Sequence, residues 1–241
     1  MLVRERHPFV LEAAEWLILK DNGGVRVIAA LVAVVAMGCG DSPSRERTLS
    51  LPPAPAGLGR RVVAYLDAAK KHAQHPWRDV SPHNADGTIN GYIEIPRGES
   101  QKWEFRIPLN RREVDRVIPP ELGGYPINYG FLPQTVSYDG DPADVLVLGP
   151  ALDGGTVVRG RIVGLMEMTD TGDLDSKVII SPLDAQGRPT HELTEDDRRG
   201  MTQFFDTYKR HEGKPTKVTG WGDPEAARAF LDKTAGFFAA R

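Results

Sequence analysis

From residue 91 onward the chain carries apolar positions in short, closely spaced runs. Lys102-Trp-Glu-Phe-Arg-Ile107 alternates strictly, with Trp103, Phe105 and Ile107 on one face and Lys102, Glu104 and Arg106 on the other, the period of a half-buried strand. Gly91-Tyr-Ile-Glu-Ile-Pro96 reads as a second strand ended by proline, which has no N–H for a ladder. Thr156–Met168 is a third, rich in β-branched residues, with Gly160 and Gly164 where bends or bulges are expected. Lys177–Ser181 is a fourth, and Val145-Leu-Val-Leu148 is an apolar run of the same kind. Two helices follow. Thr194 is the expected N-cap of Glu195–Lys209, with acids in its first turn and Tyr208-Lys-Arg210 at its basic end. Asp223-Pro224 opens Glu225–Ala240. Short strands with helices mostly at the ends predict an α+β fold, mainly β, around a small antiparallel barrel.

The N-terminal part reads differently. Arg26 precedes eleven apolar residues, Val27–Met37, and then Gly38-Cys39-Gly-Asp. The run is too short to span a bilayer but matches the apolar part of an export signal. Its ending resembles a bacterial lipoprotein cleavage site, at which Cys39 would become a lipidated N-terminus. Residues 41–57 are rich in Ser, Pro and Arg and read as a tether. Leu58–Gln74 has helical spacing, with Val62, Val63, Leu66 and Ala69 on one side. The expected organisation is therefore an extension with a signal (1–40), a linker and helix (41–74) and a main domain (75–241).

Composition narrows the class. The 241 residues are 40% hydrophobic and 26% charged, as in soluble globular proteins, and the net charge of −3 leaves no electrostatic footprint for nucleic acid. A single cysteine excludes an internal disulfide. The charge that matters is local. Between Asp139 and Asp175 stand eight carboxylates (Asp139, Asp141, Asp144, Asp153, Glu167, Asp170, Asp173, Asp175) against Arg159 and Arg161. Carboxylates this dense repel one another unless cations sit among them, and hard divalent ions such as Mg²⁺ suit oxygen donors. An EF-hand is excluded: counting from Asp139 or from Asp170 puts Pro150 or Ser181 where the bidentate Glu belongs. Hairpin turns at Asp-Gly and Thr-Gly explain some of the residues but not the further acids. Asp139 and Asp141, two apart, share a face of an extended segment, and Pro142 turns the chain so that Asp144 can converge. Lys102, Arg116, Lys177 and Lys209 are cations without an obvious partner at i+4. Acids for metal, with scattered cations and tyrosines, describe a site for a phosphorylated polyanion carried with Mg²⁺.

Seven blocks carry a resemblance. They are Ile93-Glu-Ile-Pro96, Lys102-Trp-Glu104, Asp115-Arg116, Tyr125-Pro-Ile-Asn-Tyr-Gly-Phe131, Asp139-Gly-Asp-Pro-Ala-Asp144, Met168-Thr-Asp170 through Asp175-Ser-Lys177, and Tyr208-Lys209. In order and spacing the stretch from His75 to Trp221 resembles the soluble family I inorganic pyrophosphatases. The resemblance implies an OB-type five-stranded antiparallel barrel with flanking helices, and an inorganic diphosphatase that uses several Mg²⁺ ions to split diphosphate into two orthophosphates with a metal-activated water. It implies Asp139, Asp144, Asp170, Asp175, Glu94 and Glu104 as metal ligands and Asp141 as the proton acceptor. Lys102, Arg116, Tyr129, Lys177, Tyr208 and Lys209 would hold the phosphates, with Lys102, Arg116, Tyr129 and Lys177 counted in the catalytic set, and Tyr125 would line the site. A homo-oligomer is the expected assembly. The chain departs from the pattern at Thr171, where most members carry Glu, and at Ser176 and Ala143.

Two other functions compete. One is a non-catalytic lipoprotein that binds metal or polyphosphate with the retained site. The other is an OB barrel for single-stranded nucleic acid, which the acid-lined face and the lack of basic, aromatic platforms disfavour. By resemblance the location is cytoplasmic; with Cys39 lipidated it is periplasmic and membrane-anchored.

Overall fold

The computed structural model describes residues 50–240. The apolar run Val27–Met37, Cys39 and the start of the tether, on which the lipoprotein expectation rests, lie outside the described residues. Nine strands and four helices follow in order: α1 (Leu58–Ala69), α2 (Pro76–Asp79), β1 (Ile89–Ile95), β2 (Gln101–Arg106), β3 (Arg111–Val117), β4 (Asn128–Phe131), β5 (Asp144–Val147), β6 (Val157–Asp170), β7 (Asp173–Leu174), β8 (Lys177–Pro182), α3 (Glu195–Phe205), β9 (Thr216–Gly222) and α4 (Pro224–Ala239). Among them no helix is long and apolar enough to cross a membrane.

Five strands close on themselves. The ladder runs β1–β4–β5–β8–β6, and β6 pairs back onto β1. Taken in chain order as first to fifth, the ring strands stand 1-2-3-5-4, the OB arrangement. One neighbouring pair, β5–β8, is parallel, so the ring is mixed rather than antiparallel throughout. The reason is topological: β8 enters between β5 and β6 and must run against its hairpin-like neighbour β6. β9 and β7 extend β6, while β2 and β3 form a separate hairpin.

The parallel pair is buried on both faces, which is why its strands are continuous apolar runs rather than alternating ones. Val145 and Val147 of β5, with Val178 and Ile180 of β8, enter the core covered by Phe230 and Leu231 of α4. Leu146 and Ile179, one residue out of phase, enter the core covered by Phe204 and Phe205 of α3. Each such side chain, fully buried, contributes about 1.5–3 kcal/mol. β1 serves both cores through a bulge. Ile93 pairs with Gly130 and Ile95 with Tyr129, so Glu94 is the extra residue. Ile93 therefore lies in the α4 core and Ile95 in the α3 core, although two residues apart in a regular strand would share a face. Gly130 makes the crossing possible, since a Cβ there would sit 1.8 Å from the Tyr92 carbonyl oxygen.

Both predicted caps form. Thr194 and Asp197 bond each other's backbone N–H groups at 3.1 and 3.0 Å, a capping box, and Asp223 accepts from Ala226 N at 2.8 Å. Two helices end sooner than their patterns suggest. α1 stops at Ala69 instead of continuing to Gln74 because the Arg78 guanidinium takes the carbonyls of Ala69 (2.6 Å) and His72 (3.1 Å). α3 stops at Phe205, short of Lys209, because Asp206 turns outward to accept from Val218 N at 2.7 Å and to pair with Lys217. Tyr208 and Lys209 thus stand in a turn, not on a helix.

Two consequences can be measured. Thr171 holds φ at +51° ahead of Gly172 at +98° in the β6–β7 turn. A β-branched residue is strained in this region, whereas Asn adopts it readily, so Thr171→Asn is expected to stabilise the fold by about 1 kcal/mol in thermal melts. His75 is buried, with Nε2 donating to Ile107 O at 3.0 Å and Nδ1 accepting from Arg78 N at 3.3 Å. Burial holds its pKa below the ordinary 6.5. The unfolded chain therefore takes up this proton first as pH falls below 6.5, and the stability His75 confers is lost there. The difference in urea midpoint between wild type and His75→Asn should shrink between about pH 7.5 and about pH 5.5. A constant difference would mean the folded ring accepts the proton freely.

Candidate active site

The starts of the parallel strands and the end of their antiparallel neighbour meet at one place. Asp144 opens β5, Lys177 opens β8, Asp170 ends β6, and Asp175 lies in the short link before β8. Around them a cleft of about 480 Å³ is lined by Glu94, Lys102, Glu104, Tyr125, Tyr129, Asp139, Asp141, Asp144, Asp170, Asp175, Tyr208 and Lys209, with Tyr65 from α1. All but two of the site residues expected from the sequence line this cleft, although they come from six separate stretches of chain.

The first exception is Lys177, which is wholly buried behind the acids. Its Nζ lies 2.5 Å from Asp144 and 2.9 Å from Asp175, over the rings of Tyr129 (5.5 Å) and Phe205 (5.9 Å). Asp144 and Lys177 are register partners across β5 and β8, so strand pairing itself brings them together. Burial alone would lower the Lys177 pKa, but Asp144 and Asp175 outweigh it and hold it above its ordinary value. Asp175 moves up as well, because burial and the Asp144 charge exceed what the shared ammonium returns. One cation serves two carboxylates, and the acids remain short of positive charge.

The same shortage appears at the neighbours. Burial pushes Glu94 up to about 8, although its Oε1 accepts from Phe105 N at 2.6 Å. Asp139 keeps an edge in solvent, yet partial burial of its carboxyl, with the Asp144 and Asp141 charges, moves it up to about 6. Lys209 pairs with Asp170. Burial raises the phenols of Tyr125, Tyr129 and Tyr208, so they remain protonated donors at neutral pH.

Bulges aim two of the carboxylates. Glu94 is the extra residue of β1, and Asp115 occupies the corresponding place in the hairpin, where Lys102 pairs with Arg116 and Trp103 already with Val114. Asp115 gathers the cations on this side: Lys102 at 3.5 Å, Arg106 at 3.3 Å and Arg116 at 3.0 Å. Glu104 pairs with Arg106 at 3.0 Å. Arg116, the second exception, stands beside the cleft through this shared carboxylate. Its Nε lies 2.8 Å from Glu212, an ion pair without a well-formed hydrogen bond, and among the described residues its buried Nη2 has no acceptor. A buried guanidinium donor left open is a place for an anion.

The four cations expected to be free of i+4 partners thus all meet carboxylates, distant in sequence or next in line. Arg61, Tyr65, Asp115, Arg106 and Glu212 escaped the sequence reading of roles. Only Asp115 carried a signal, as the neighbour of Arg116. Thr171 is exposed in its turn and donates its N–H to Pro215 O at 2.8 Å.

Known proteins share this sequence span and fold. Residues 91–238 match the family model for inorganic pyrophosphatase. An inorganic pyrophosphatase from Picrophilus torridus is 35% identical over 163 residues, covering 65% of this chain and 92% of the relative. A soluble inorganic pyrophosphatase from Oryza sativa subsp. indica is 38% identical over 177 residues, covering 68% of this chain and 78% of the relative. Among solved structures, an inorganic pyrophosphatase from Thermus thermophilus superposes with a TM-score of 0.63 at 34% identity, covering 69% of this chain and 99% of the other. One from Neisseria gonorrhoeae gives 0.62 at 31%, with coverage of 67% and 97%. The matched span and the fold agree, and the chain belongs to the inorganic pyrophosphatase family.

Proposed function

We propose that this protein hydrolyses inorganic diphosphate to two orthophosphates, with Mg²⁺ held in the acid-lined cleft. The observation that carries the reading is the meeting of seven carboxylates with Lys102, Lys209 and four tyrosines in one cleft. A purely acidic cleft would repel diphosphate, and a purely basic one would not require a metal.

The donor set fits a hard divalent ion. Every candidate ligand is a carboxylate: Asp139, Asp144, Asp170, Asp175, Glu94 and Glu104. Among the described residues no three acidic or histidine side chains close on one point; Lys177 and Lys209 supply the countercharge instead. The upward shifts of Glu94 and Asp139 mark carboxylates that ionise more readily once positive charge arrives. Bound Mg²⁺ would polarise phosphoryl oxygens and make an attacking water more acidic.

The chain's own residues do the rest. Lys102, Lys209, Arg116 and the phenols of Tyr129 and Tyr208 would grip phosphoryl oxygens, the open Nη2 of Arg116 among them. Lys177, behind the acids, holds Asp144 and Asp175 at fixed spacing. Asp141, whose side chain is half exposed at the cleft rim, accepts the proton of the attacking water. A new P–O bond forms at one phosphorus, and the bridging oxygen leaves with the bonding pair on the other phosphate.

Phosphate release from diphosphate should need Mg²⁺ and stop in excess chelator; the purely binding alternative requires no release at all. Asp141→Asn keeps an oxygen but not the base, so kcat should fall about 10²–10⁴-fold while Mg²⁺ affinity holds. A variant as fast as wild type would move the proton elsewhere. Lys177→Met leaves Asp144 and Asp175 without their shared cation, and in chelator should cost roughly 3–5 kcal/mol of stability. Mg²⁺ should then raise the melting temperature of the variant more than that of wild type. An equal rise in both would show that the ion and Lys177 do not share those acids.

A further inference from the structure

α1 spans Leu58–Ala69, ahead of the family-matched span that begins at residue 91. It is not a loose appendage. Leu58, Val62, Leu66 and Ala69 are buried in a core shared with Trp77, Phe105 and Phe238. That seating turns Arg61 and Tyr65, neighbours at i and i+4, toward the Asp139–Asp141 turn. The Tyr65 hydroxyl donates to Asp141 Oδ1 at 2.9 Å, and Arg61 Nη2 reaches the same oxygen at 3.2 Å. Arg61 Nη1 donates to the Asp139 carbonyl at 3.1 Å, and its Nε to the Tyr65 hydroxyl at 3.4 Å. Tyr65 is itself braced edge-on against Trp77, with ring centroids 5.8 Å apart. Gly140, at φ +90°, leaves room for the guanidinium; a Cβ there would lie 2.7 Å from Arg61 Nη1.

From this we infer that Tyr65 and Arg61 are positioning residues that hold the Asp141 carboxylate in its working orientation, so that turnover depends on a helix outside the matched family span. The inference rests on the reading of Asp141 as proton acceptor. Both donors converge on Oδ1, and among the described residues Oδ2 accepts no hydrogen bond, which leaves one oxygen open toward the attacking water. The Arg61–Asp141 pair is about half exposed on both sides and adds little to stability. Its effect lies in orientation.

The test uses the full chain as wild type, Tyr65→Phe, Arg61→Gln and Arg61→Lys. Tyr65→Phe keeps the ring on Trp77 and removes only the donor. Each protein is assayed for kcat and KM with diphosphate at saturating Mg²⁺, for Mg²⁺ affinity by calorimetry without diphosphate, and for melting temperature. Tyr65→Phe and Arg61→Gln should lower kcat about tenfold, with KM and Mg²⁺ affinity within about twofold of wild type. Melting should be unchanged, and Arg61→Lys should recover most of the loss. If both variants turn over at the wild-type rate in an active wild type, the inference fails alone. If melting or Mg²⁺ affinity falls in step with kcat, the residues are structural and the inference also fails. A wild type that releases no phosphate overturns the diphosphatase reading and this inference with it.

Discussion

An ammonium group enclosed between two carboxylates sits where the ring of strands and the cleft become one object. Lys177 and Asp144 face each other as the opening residues of the parallel strands β5 and β8, and Asp175 completes the contact. Burying such a group without partners is costly, and excellent geometry is what repays it. That geometry comes from the ladder: Val145–Val178, Leu146–Ile179 and Val147–Ile180 continue the same register into two apolar cores. A slip of one residue would separate the charges and exchange the two core faces of the slipped strand. Register and chemistry therefore constrain each other.

The surrounding acids are then placed by departures from regularity. A bulge aims Glu94, a second bulge presents Asp115 to three cations, and the abrupt end of α3 leaves Lys209 in a turn where it meets Asp170. None of these side chains is positioned by strand or helix periodicity alone. Regular elements supply the rigid frame, and the irregular positions supply the aim.

This division explains what could be read before the structure. Strands with alternation or unbroken apolar runs were legible, as were helices with Thr194 and Asp223 at their caps, because local bonds decide them. The site acids were legible through their density, which a soluble surface rarely carries without countercharge. β3 was not legible: Arg-Arg-Glu-Val-Asp-Arg-Val has no apolar face, and the strand forms through its pairing with β2. Arg61 and Tyr65 were hidden for another reason. Their partner Asp141 is 80 and 76 residues away in sequence, and only the packing of α1 against Trp77 brings them near. The parallel pairing of β5 and β8 is equally a fact of topology.

The bulge at Glu94 makes β1 behave like a sentence whose phase changes in mid-line. Before it, the inward side chain belongs to the α4 core; after it, to the α3 core. Length is therefore as binding on this strand as composition. Exchanging Ile93 for another branched residue alters one contact, whereas removing Glu94 would restore plain alternation, leave Ile95 in its layer and take a carboxylate out of the cleft. On β1, as on β6 with its own bulge, deletion and substitution are different kinds of event.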